Sequence, residues 1–402
     1  MAAPDIIVYV PLPSAVVQGQ DLDIEQQNWQ WAHCFTFPIL CLTSYGSLPV
    51  KPFKWLRYAI GSAVGAQGHL SRTDNPLDVI DYNAAFPTNS LELYYHLADD
   101  ERRRLFPADP KLLDPKARSN STAVTTRRAG LRTEVIRRDQ TCVMTGLPRD
   151  CCDTVHLIAH SKGDGYITMY TRRRSRSPNA DDIVTDIDSC KNAILLSKSL
   201  HTEIGKTVGF LPVPNFAMDV ADVHPSLAGG AGEKRYSAHL FQSDVALNRH
   251  VYSDVAHPIF KKLTVRDSTE WPPDILWDAV YASVILNLFG HKNFLDKVNE
   301  KWGTTFYEGE MPVHQGARNL QELNDSHNAA KKKADDAKQR DTRADMRNVA
   351  TDAQFDIFDT ILSLPFAFLD RAKLMARWGS DRGKAQDKEQ RCIKEKVQGW
   401  RC

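Results

Sequence analysis

Two short stretches in the middle of the chain, VHLIAH and NAILLSKSLH, constrain the fold more than any other feature. The first carries His156 and His160 on a short apolar run that is typical of a strand. The second opens at Asn192 and ends, after eight intervening residues, at His201. Such runs predict short paired elements that present polar side chains at their ends.

Length and charge limit what the chain can be. With 402 residues and about 150 residues per domain, we expect two or three domains. Hydrophobic residues at 42% and charged residues at 25% are typical of a folded globular protein. The net charge is only +1, so a nucleic acid would have to be met by a local basic patch.

The N-terminus and the cysteines predict an intracellular protein. The opening MAAPDIIVYVPLPS lacks the basic start of a secretory signal. The apolar segment CFTFPILCLTSYG is too short to span a membrane and contains Pro38. The eight cysteines are scattered without a CxxC pair, which favours reduced thiols, in the cytoplasm or the nucleus. The spacing of Cys142, Cys151, Cys152 and Cys190 favours buried thiols that pack the fold. A structural zinc site built from these cysteines together with a histidine is the alternative interpretation.

Patterning divides the chain into four regions and predicts an α+β fold. IIVYVPL reads as a strand, while WLRYAIGSAVGAQGHLS, SLELYYHLADDERRRLF, RRAGLRTEVIRRD and DILWDAVYASVILNLFG read as helices. A polar linker covers 116–126, and the charged stretch after 311 is either a solvated helix or disordered, ahead of an apolar docking segment near Phe355. The expected regions are an N-terminal α+β region at 1–117, a central domain at 127–250, a helical region at 251–310 and a charged region at 311–402.

The order of motifs between Arg132 and Asp219 resembles the HNH endonucleases, of the type common in fungi. A basic helix is followed by the turn CVMTG, a strand with His156, an apolar run opened by Asn192, and then His201. The resemblance implies a central finger of two strands and a helix around one metal ion. We therefore expect this finger to be flanked by mainly helical regions.

The resemblance also implies the roles of these side chains. His156 would be the general base, Asn192 would hold the imidazole in one orientation, and His201 would bind the metal. Elementary chemistry agrees, because phosphodiester hydrolysis needs a base that works near neutral pH and a cation that offsets charge on the phosphate. If the strand is considered without Asn192 and His201, His156 could instead be a hydrogen-bonded structural residue. His160 is expected to be structural or to contact substrate.

The chain departs from the family at the metal. The residue before the catalytic histidine is often a ligand in relatives, but here it is Val155. Asp153 is the expected substitute, since alternate residues of a strand share a face. Glu203 is a weaker candidate, and Gly205 stands where many relatives have an aspartate. The implied cofactor is a divalent ion, Mg²⁺ first, with Mn²⁺ or Zn²⁺ as alternatives.

Four arginines follow the first histidine in TRRRSRSP. Arg172, Arg173, Arg174 and Arg176 either neutralise phosphates near the site or belong to an exposed flexible insertion. The sequence leaves the two interpretations evenly matched.

The leading hypothesis is a metal-dependent HNH endonuclease acting on DNA, with RNA not excluded and no membrane partner. The alternatives are a degenerate HNH domain, which binds nucleic acid or a protein partner without cleavage, and a scaffold dominated by the charged C-terminal region. Val155 and Gly205 favour the degenerate reading.

Overall fold

The computed structural model describes residues 4–16, 22–44, 49–114, 130–223, 234–241, 260–263 and 269–307. The linker at 116–126 and the whole C-terminal region at 311–402 lie outside the described residues. No helix in the described part of the chain is long and apolar enough to cross a membrane.

The strands are β1 Asp5–Pro13, β2 Trp29–Pro38, β3 Gly68–Ser71, β4 Leu91–Leu97, β5 Cys152–His156, β6 Ala193–Ser197, β7 Val208–Val213, β8 Arg235–Leu240 and β9 Phe260–Lys262. The helices are α1 Ile39–Ser44, α2 Pro52–Val64, α3 Asp99–Arg103, α4 Leu131–Asp139, α5 Gly163–Arg174, α6 Lys198–His201, α7 Val220–Val223, α8 Asp274–Phe289 and α9 Lys292–Phe306. Short 3₁₀ turns cover Gln26–Asn28, Arg149–Cys151, His160–Lys162 and Cys190–Asn192.

The first sheet has the strand order β2-β1-β4-β3. β1 runs parallel to β4, while β2 and β3 are antiparallel to their neighbours. Along β1 the residues Ile6, Val8 and Val10 are fully buried and alternate with partly exposed ones, which confirms the predicted strand. One face of this sheet therefore packs on the core, and the other faces outward.

The stretch SLELYYHLADDERRRLF was expected to be one amphipathic helix, and this is wrong. Its first part is strand β4, and only Asp99–Arg103 is helical. The buried residues Leu93, Tyr95 and Leu97 alternate along the strand, so the same apolar letters serve a period of two. Pairing with β1 and β3 on both sides decides between the two periods, because it satisfies the backbone of β4.

The N-terminal flank of the central domain is less helical than expected, because it contains the four-stranded sheet. In the three-stranded sheet of order β7-β8-β9, β7 and β8 lie within the expected central domain at 127–250, and β9 lies with the long helices α8 and α9 in the expected helical region at 251–310. β7 and β8 are almost wholly buried, although Arg235, Ser237 and His239 of β8 alternate with apolar residues. The predicted α+β class is confirmed.

Two predicted helices form the core between the sheets. α2 ends at Gly65, whose φ of 77° is the left-handed conformation that glycine adopts without strain. α8 is buried on nearly all sides, as its apolar pattern predicts. The helices are joined by Trp55, whose indole N–H donates to the Tyr281 hydroxyl at 2.5 Å, and by Tyr58, whose hydroxyl donates to Asp278 at 2.6 Å.

The small antiparallel sheet of β5 and β6 is held by α4 through a buried arginine. The guanidinium of Arg138 makes five hydrogen bonds, which matches its five N–H donors. Its acceptors are both carboxylate oxygens of Asp139 and the carbonyls of Cys190, Ala193 and Glu270. Asp139 also accepts from the backbone N–H of Leu195 at 2.8 Å. The end of α4 thereby fixes the start of β6.

A second buried ion pair joins three parts of the chain. The ammonium of Lys162, fully buried, lies 2.9 Å from Asp109 Oδ2 and 2.7 Å from the Tyr307 hydroxyl. The same Asp109 oxygen accepts from Tyr166 at 3.0 Å and Tyr307 at 2.8 Å. Burial lowers the pKa of Lys162 although Asp109 opposes that shift. Asp109 comes from the N-terminal region and Tyr307 follows α9, so the pair ties both to the turn that begins at His160.

We predict that Asp109→Ala lowers the free energy of unfolding by about 3–5 kcal/mol, because it leaves the Lys162 charge buried without a partner. Urea denaturation at neutral pH measures the change. The control is Asp296→Ala on the exposed side of α9, which should alter stability by no more than about 0.5 kcal/mol. Equal stabilities of the two variants would contradict the prediction.

Candidate active site

A cleft of about 700 Å³ opens along β5, the loop after it and α6. Its wall combines acids, histidines and apolar side chains, and Arg132 and Lys206 stand at its rim as exposed cations. The acids and histidines that line it are Asp153, His156, His160, Asp188 and His201. Four of these five are residues that the sequence analysis singled out.

His156 is the last residue of β5, where the strand ends and its side chain faces the cleft. Its Nε2 lies 3.0 Å from Oδ1 of Asp188, whose side chain is only 4% exposed. A carboxylate at Nε2 keeps the proton on that nitrogen and makes Nδ1 the basic one. The pair therefore has the arrangement of a general base and the group that orients it.

His160 shares this carboxylate. Its Nε2 lies 3.5 Å from Oδ2 of Asp188, and the His156 and His160 ring centroids are 5.7 Å apart. Within the described chain the His160 Nε2 is buried without a hydrogen bond of good geometry. The structure thus brings into the cleft a histidine for which the sequence left open a structural or a substrate-contacting role.

Asn192 is fully buried and binds backbone rather than facing the cleft. Its amide N–H₂ donates to the carbonyls of Ile158 at 3.0 Å and Ile187 at 2.9 Å. Its side-chain oxygen accepts from the N–H of Ile158 at 2.9 Å. The amide therefore locks the loop that follows His156 to the turn that carries Asp188.

Asp153 and His201 meet in the same cleft. The Asp153 Oδ2 lies 3.1 Å from the His201 Nδ1, and both side chains are partly exposed, by 37% and 45%. Asp153 is on β5 and His201 is the last residue of α6, directly after β6. The cleft thus brings an oxygen donor on β5 and a nitrogen donor on α6 together, and β5 also carries His156.

The part of the chain that forms the cleft matches a known protein family. Residues 142–207 match the HNH endonuclease family. This HNH segment contains β5, β6, α6 and every acid and histidine of the cleft. The match confirms the resemblance drawn from the motifs. No curated protein and no solved structure matches the chain significantly.

The positions where the chain departs from the HNH family have structural explanations. Val155 has no atom that can coordinate a metal, and its side chain is 2% exposed and packs in the core. Gly205 has a φ of 73°, and a Cβ there would collide with the side chain of Leu113 from the N-terminal region. Glu203 turns away from the cleft and accepts from the Thr207 hydroxyl at 2.7 Å. Asp153 is then the carboxylate closest to His201 among these candidates.

The donors of the HNH segment fit a hard divalent ion bound by few protein groups. Two ligands at about 2.1 Å from one ion, at right angles, are about 3 Å apart, which is the Asp153–His201 separation. Among the described residues no group of three or more histidines, cysteines, aspartates or glutamates is placed to hold a metal ion. An ion at this position would need water or substrate oxygens to complete its shell, as Mg²⁺ commonly does.

The cysteines of the HNH segment act as packing residues. Cys142, Cys152 and Cys190 are buried, and Cys151 is exposed. Burial raises the pKa of the Cys152 thiol to about 11, so the thiol stays neutral. The Cys142 sulfur accepts from the N–H of Ser197 at 3.3 Å. These contacts agree with the interpretation of buried thiols that stabilise the small sheet.

The four arginines lie at the end of α5 and outside the lining of the cleft. Arg174 donates to the carbonyls of Ser62 at 2.7 Å and Phe106 at 2.8 Å, so it packs on the N-terminal region. Arg176 makes a bidentate pair with Glu101, with both distances 2.6 Å. Burial alone would raise the Glu101 pKa, but its bond to Arg176 lowers it overall. Arg172 and Arg173 are exposed.

The sequence did not predict the positions of three residues that line the cleft. Asp188, Arg132 and Lys206 line the cleft, but only Asp188 touches a predicted catalytic side chain. Its signal in the sequence is weak, an aspartate four residues before Asn192 within DIDSCKN. Nothing in the spacing distinguishes it from Asp186, which instead accepts from the backbone N–H of Asp188.

We predict that Asn192→Ala lowers the free energy of unfolding by at least about 1–3 kcal/mol, because buried backbone groups of Ile158 and Ile187 lose their partners. The nearly isosteric Asn192→Asp should also destabilise, since it removes the amide donors and buries a charge. Asn179→Ala on the exposed loop is the control. Urea denaturation, with the imidazole NMR signal of His156 as a local probe, measures both effects; a wild-type stability for Asn192→Ala would contradict them.

Proposed function

We propose that this protein is a metal-dependent HNH endonuclease that hydrolyses phosphodiester bonds in DNA, with His156 as the general base. The observation that carries the proposal is the meeting of His156 and the Asp153–His201 pair in one cleft of a segment that matches HNH endonucleases. We take β5, β6 and α6 as the HNH finger. RNA is the second candidate substrate, since a phosphodiester backbone is common to both nucleic acids.

The residues of the chain divide the work of hydrolysis. Asp188 holds the His156 ring so that its basic nitrogen takes the proton from the attacking water. Asn192 keeps the loop beside that ring in one conformation. Asp153 and His201 would hold the divalent ion, which supplies positive charge against the phosphate and the departing oxygen when bound. The exposed side chains of Arg132, Lys206, Arg172 and Arg173 are proposed contacts to backbone phosphates.

A degenerate HNH domain that binds nucleic acid without cleavage is the second candidate. It is favoured by the two departures from the family pattern, since Val155 is buried and Gly205 lies under Leu113. Only two candidate ligands then remain on the finger. Cleavage of plasmid and single-stranded DNA, assayed with a panel of divalent ions and with EDTA, separates the two candidates, because the degenerate domain binds DNA but yields no product with any ion.

We predict that His156→Ala lowers the cleavage rate by about 10²–10⁴-fold while the chain still folds, because the attacking water loses its base. Asp188→Asn should have a smaller effect and should move the acid side of the pH–rate profile to lower pH, because the carboxylate no longer stabilises the protonated imidazole. In the wild type, cleavage should fall on acidification as His156 becomes protonated.

Rates on plasmid DNA across pH, with circular dichroism as a check of folding, measure these effects. Asp150→Asn, whose side chain is 90% exposed, is the matched acid control and should cleave like the wild type. Wild-type turnover by His156→Ala would exclude it as the base.

The metal site generates a separate prediction. His201→Ala should abolish metal-dependent cleavage, and Asp153→Asn should raise the metal concentration that half-maximal cleavage requires, because one ligand of the pair is lost or weakened. Calorimetric titration with Mn²⁺ gives a readout that does not depend on activity. Glu203→Gln, a carboxylate outside the cleft, should leave both readouts unchanged. Unaltered Mn²⁺ binding by His201→Ala would remove this residue from the ligand set.

A further inference from the structure

The outer face of the four-stranded sheet carries a continuous set of aromatic rings. Strand alternation places them there, since Tyr9 and Tyr94 are paired across β1 and β4 while their neighbours Val8 and Leu93 are fully buried on the inner face. We call the outward set the aromatic face. Its members are Tyr9 on β1, Trp31 and His33 on β2, Tyr94 and His96 on β4, and His69 on β3.

The rings contact one another from edge to edge of the sheet. Tyr9 and Tyr94 are stacked with centroids 5.1 Å apart, and Trp31 meets both Tyr94 and His96 edge-on at 5.1 Å. His69 stacks beside His96 at 5.3 Å, on the far strand. Such cross-strand pairs hold the rings in fixed orientations, so the face is preformed.

Part of this face is open to solvent. Trp31 is 37% exposed, and Tyr9, His33, His69 and Tyr94 are partly exposed. Sheets that face water usually carry polar side chains there, so a solvent-facing row of rings calls for a binding partner. Burial lowers the pKa of His33 and of His96, so these imidazoles add rings rather than charge to the face. The ring of His96 is only 7% exposed and supports Trp31 and His69, which it contacts.

Cations stand at the borders of the aromatic face. Arg72 directly follows β3 and Lys292 follows His291, whose ring stacks on His33 at 3.9 Å; both cations are exposed. Arg102 lies 5.5 Å from the centroid of the Trp29 ring, and its Nε is buried without a hydrogen-bond partner in the described chain. Glu92 lies on the same face, so the charge balance is mixed. Rings rather than charge dominate the surface.

We propose that the aromatic face binds single-stranded nucleic acid by stacking its unpaired bases on Tyr94, Trp31 and the neighbouring rings. Every base has a flat π face, and aromatic side chains on an open sheet are a general means of holding such bases. The border cations Arg72, Arg102 and Lys292 are suited to the phosphates between stacked bases. The proposal goes beyond the proposed function, on which it rests only for nucleic acid as the class of partner.

The test measures binding without cleavage. The full chain with His156→Ala is titrated against a fluorescein-labelled oligothymidylate and against an abasic strand of the same length, by fluorescence anisotropy. The added pair Trp31→Leu and Tyr94→Leu, which keeps an apolar cover but removes two rings, should weaken binding of oligothymidylate by about 10-fold or more. The pair should not change binding of the abasic strand.

Two controls address the alternatives. Tyr94→Phe keeps the ring and should bind like the parent, and so should Asn179→Ala, an exposed loop position outside the aromatic face. If Arg72, Arg102 and Lys292 are the phosphate contacts, log Kd should change with log salt by a slope no steeper than about 2. A steep slope, equal binding of the abasic strand, or unchanged binding by the double leucine variant would overturn the proposal, and so would an absence of single-strand binding, which would leave the face to a protein partner.

Failure of the aromatic-face proposal can be told apart from failure of the nuclease proposal. If the wild-type chain cleaves no DNA, the anisotropy results still decide whether the face binds bases. If the double leucine variant binds oligothymidylate normally while wild-type cleavage persists, only the aromatic face is wrongly assigned.

Discussion

The geometry of the cleft depends on a buried charge that has no solvent to stabilise it. Arg138 satisfies all five of its donors inside the protein, and its acceptors include the carbonyls just before and at the start of β6. Because a buried guanidinium must keep such partners, α4, the turn at Cys190–Asn192 and β6 can take only one relative position. Asn192 extends this fixed turn to the loop after His156. The distance between His156 and Asp188 is thus set by groups that do not line the cleft.

The same physics links the cleft to the rest of the described chain. Lys162 closes the turn that begins at His160, and its charge is matched by Asp109 from another region. Leu113, a few residues further on, packs over Gly205 and lines the cleft. The wall of the cleft is therefore built from both the HNH segment and the N-terminal region. A change in either region would alter the shape of the cleft.

How much of this could be predicted from the sequence depends on the range of each interaction. The order of His156, Asn192 and His201 identifies the family, because a local motif keeps its residues at fixed spacing along the chain. Asp153 could be reached by strand alternation. Asp188 could not, because its approach to His156 is set by a turn whose position depends on Arg138. For the same reason the arginines after His160 could not be interpreted locally: Arg174 and Arg176 are engaged by Ser62, Phe106 and Glu101.

Strand β4 shows the same limit in the fold. Its letters satisfy a helical period and a strand period at once, and the choice is made by β1 and β3, which lie far away in the chain. Where the apolar pattern had no competitor, as in α8 and β1, the local prediction is confirmed. The outward-facing positions of the first sheet could not be recognised from the sequence. An aromatic residue that faces solvent and one that faces the core look the same there.

The buried Lys162 limits how the HNH segment can be transferred to another protein. A fragment limited to 142–207 would contain the cleft histidines, but Lys162 and Arg174 would lose Asp109, Ser62 and Phe106, and Arg138 lies before its first residue. The fragment would carry charges that the intact chain neutralises from outside. The HNH segment of this protein is thus an integrated part rather than a portable cassette, and fusions or domain exchanges would have to carry the N-terminal region with it.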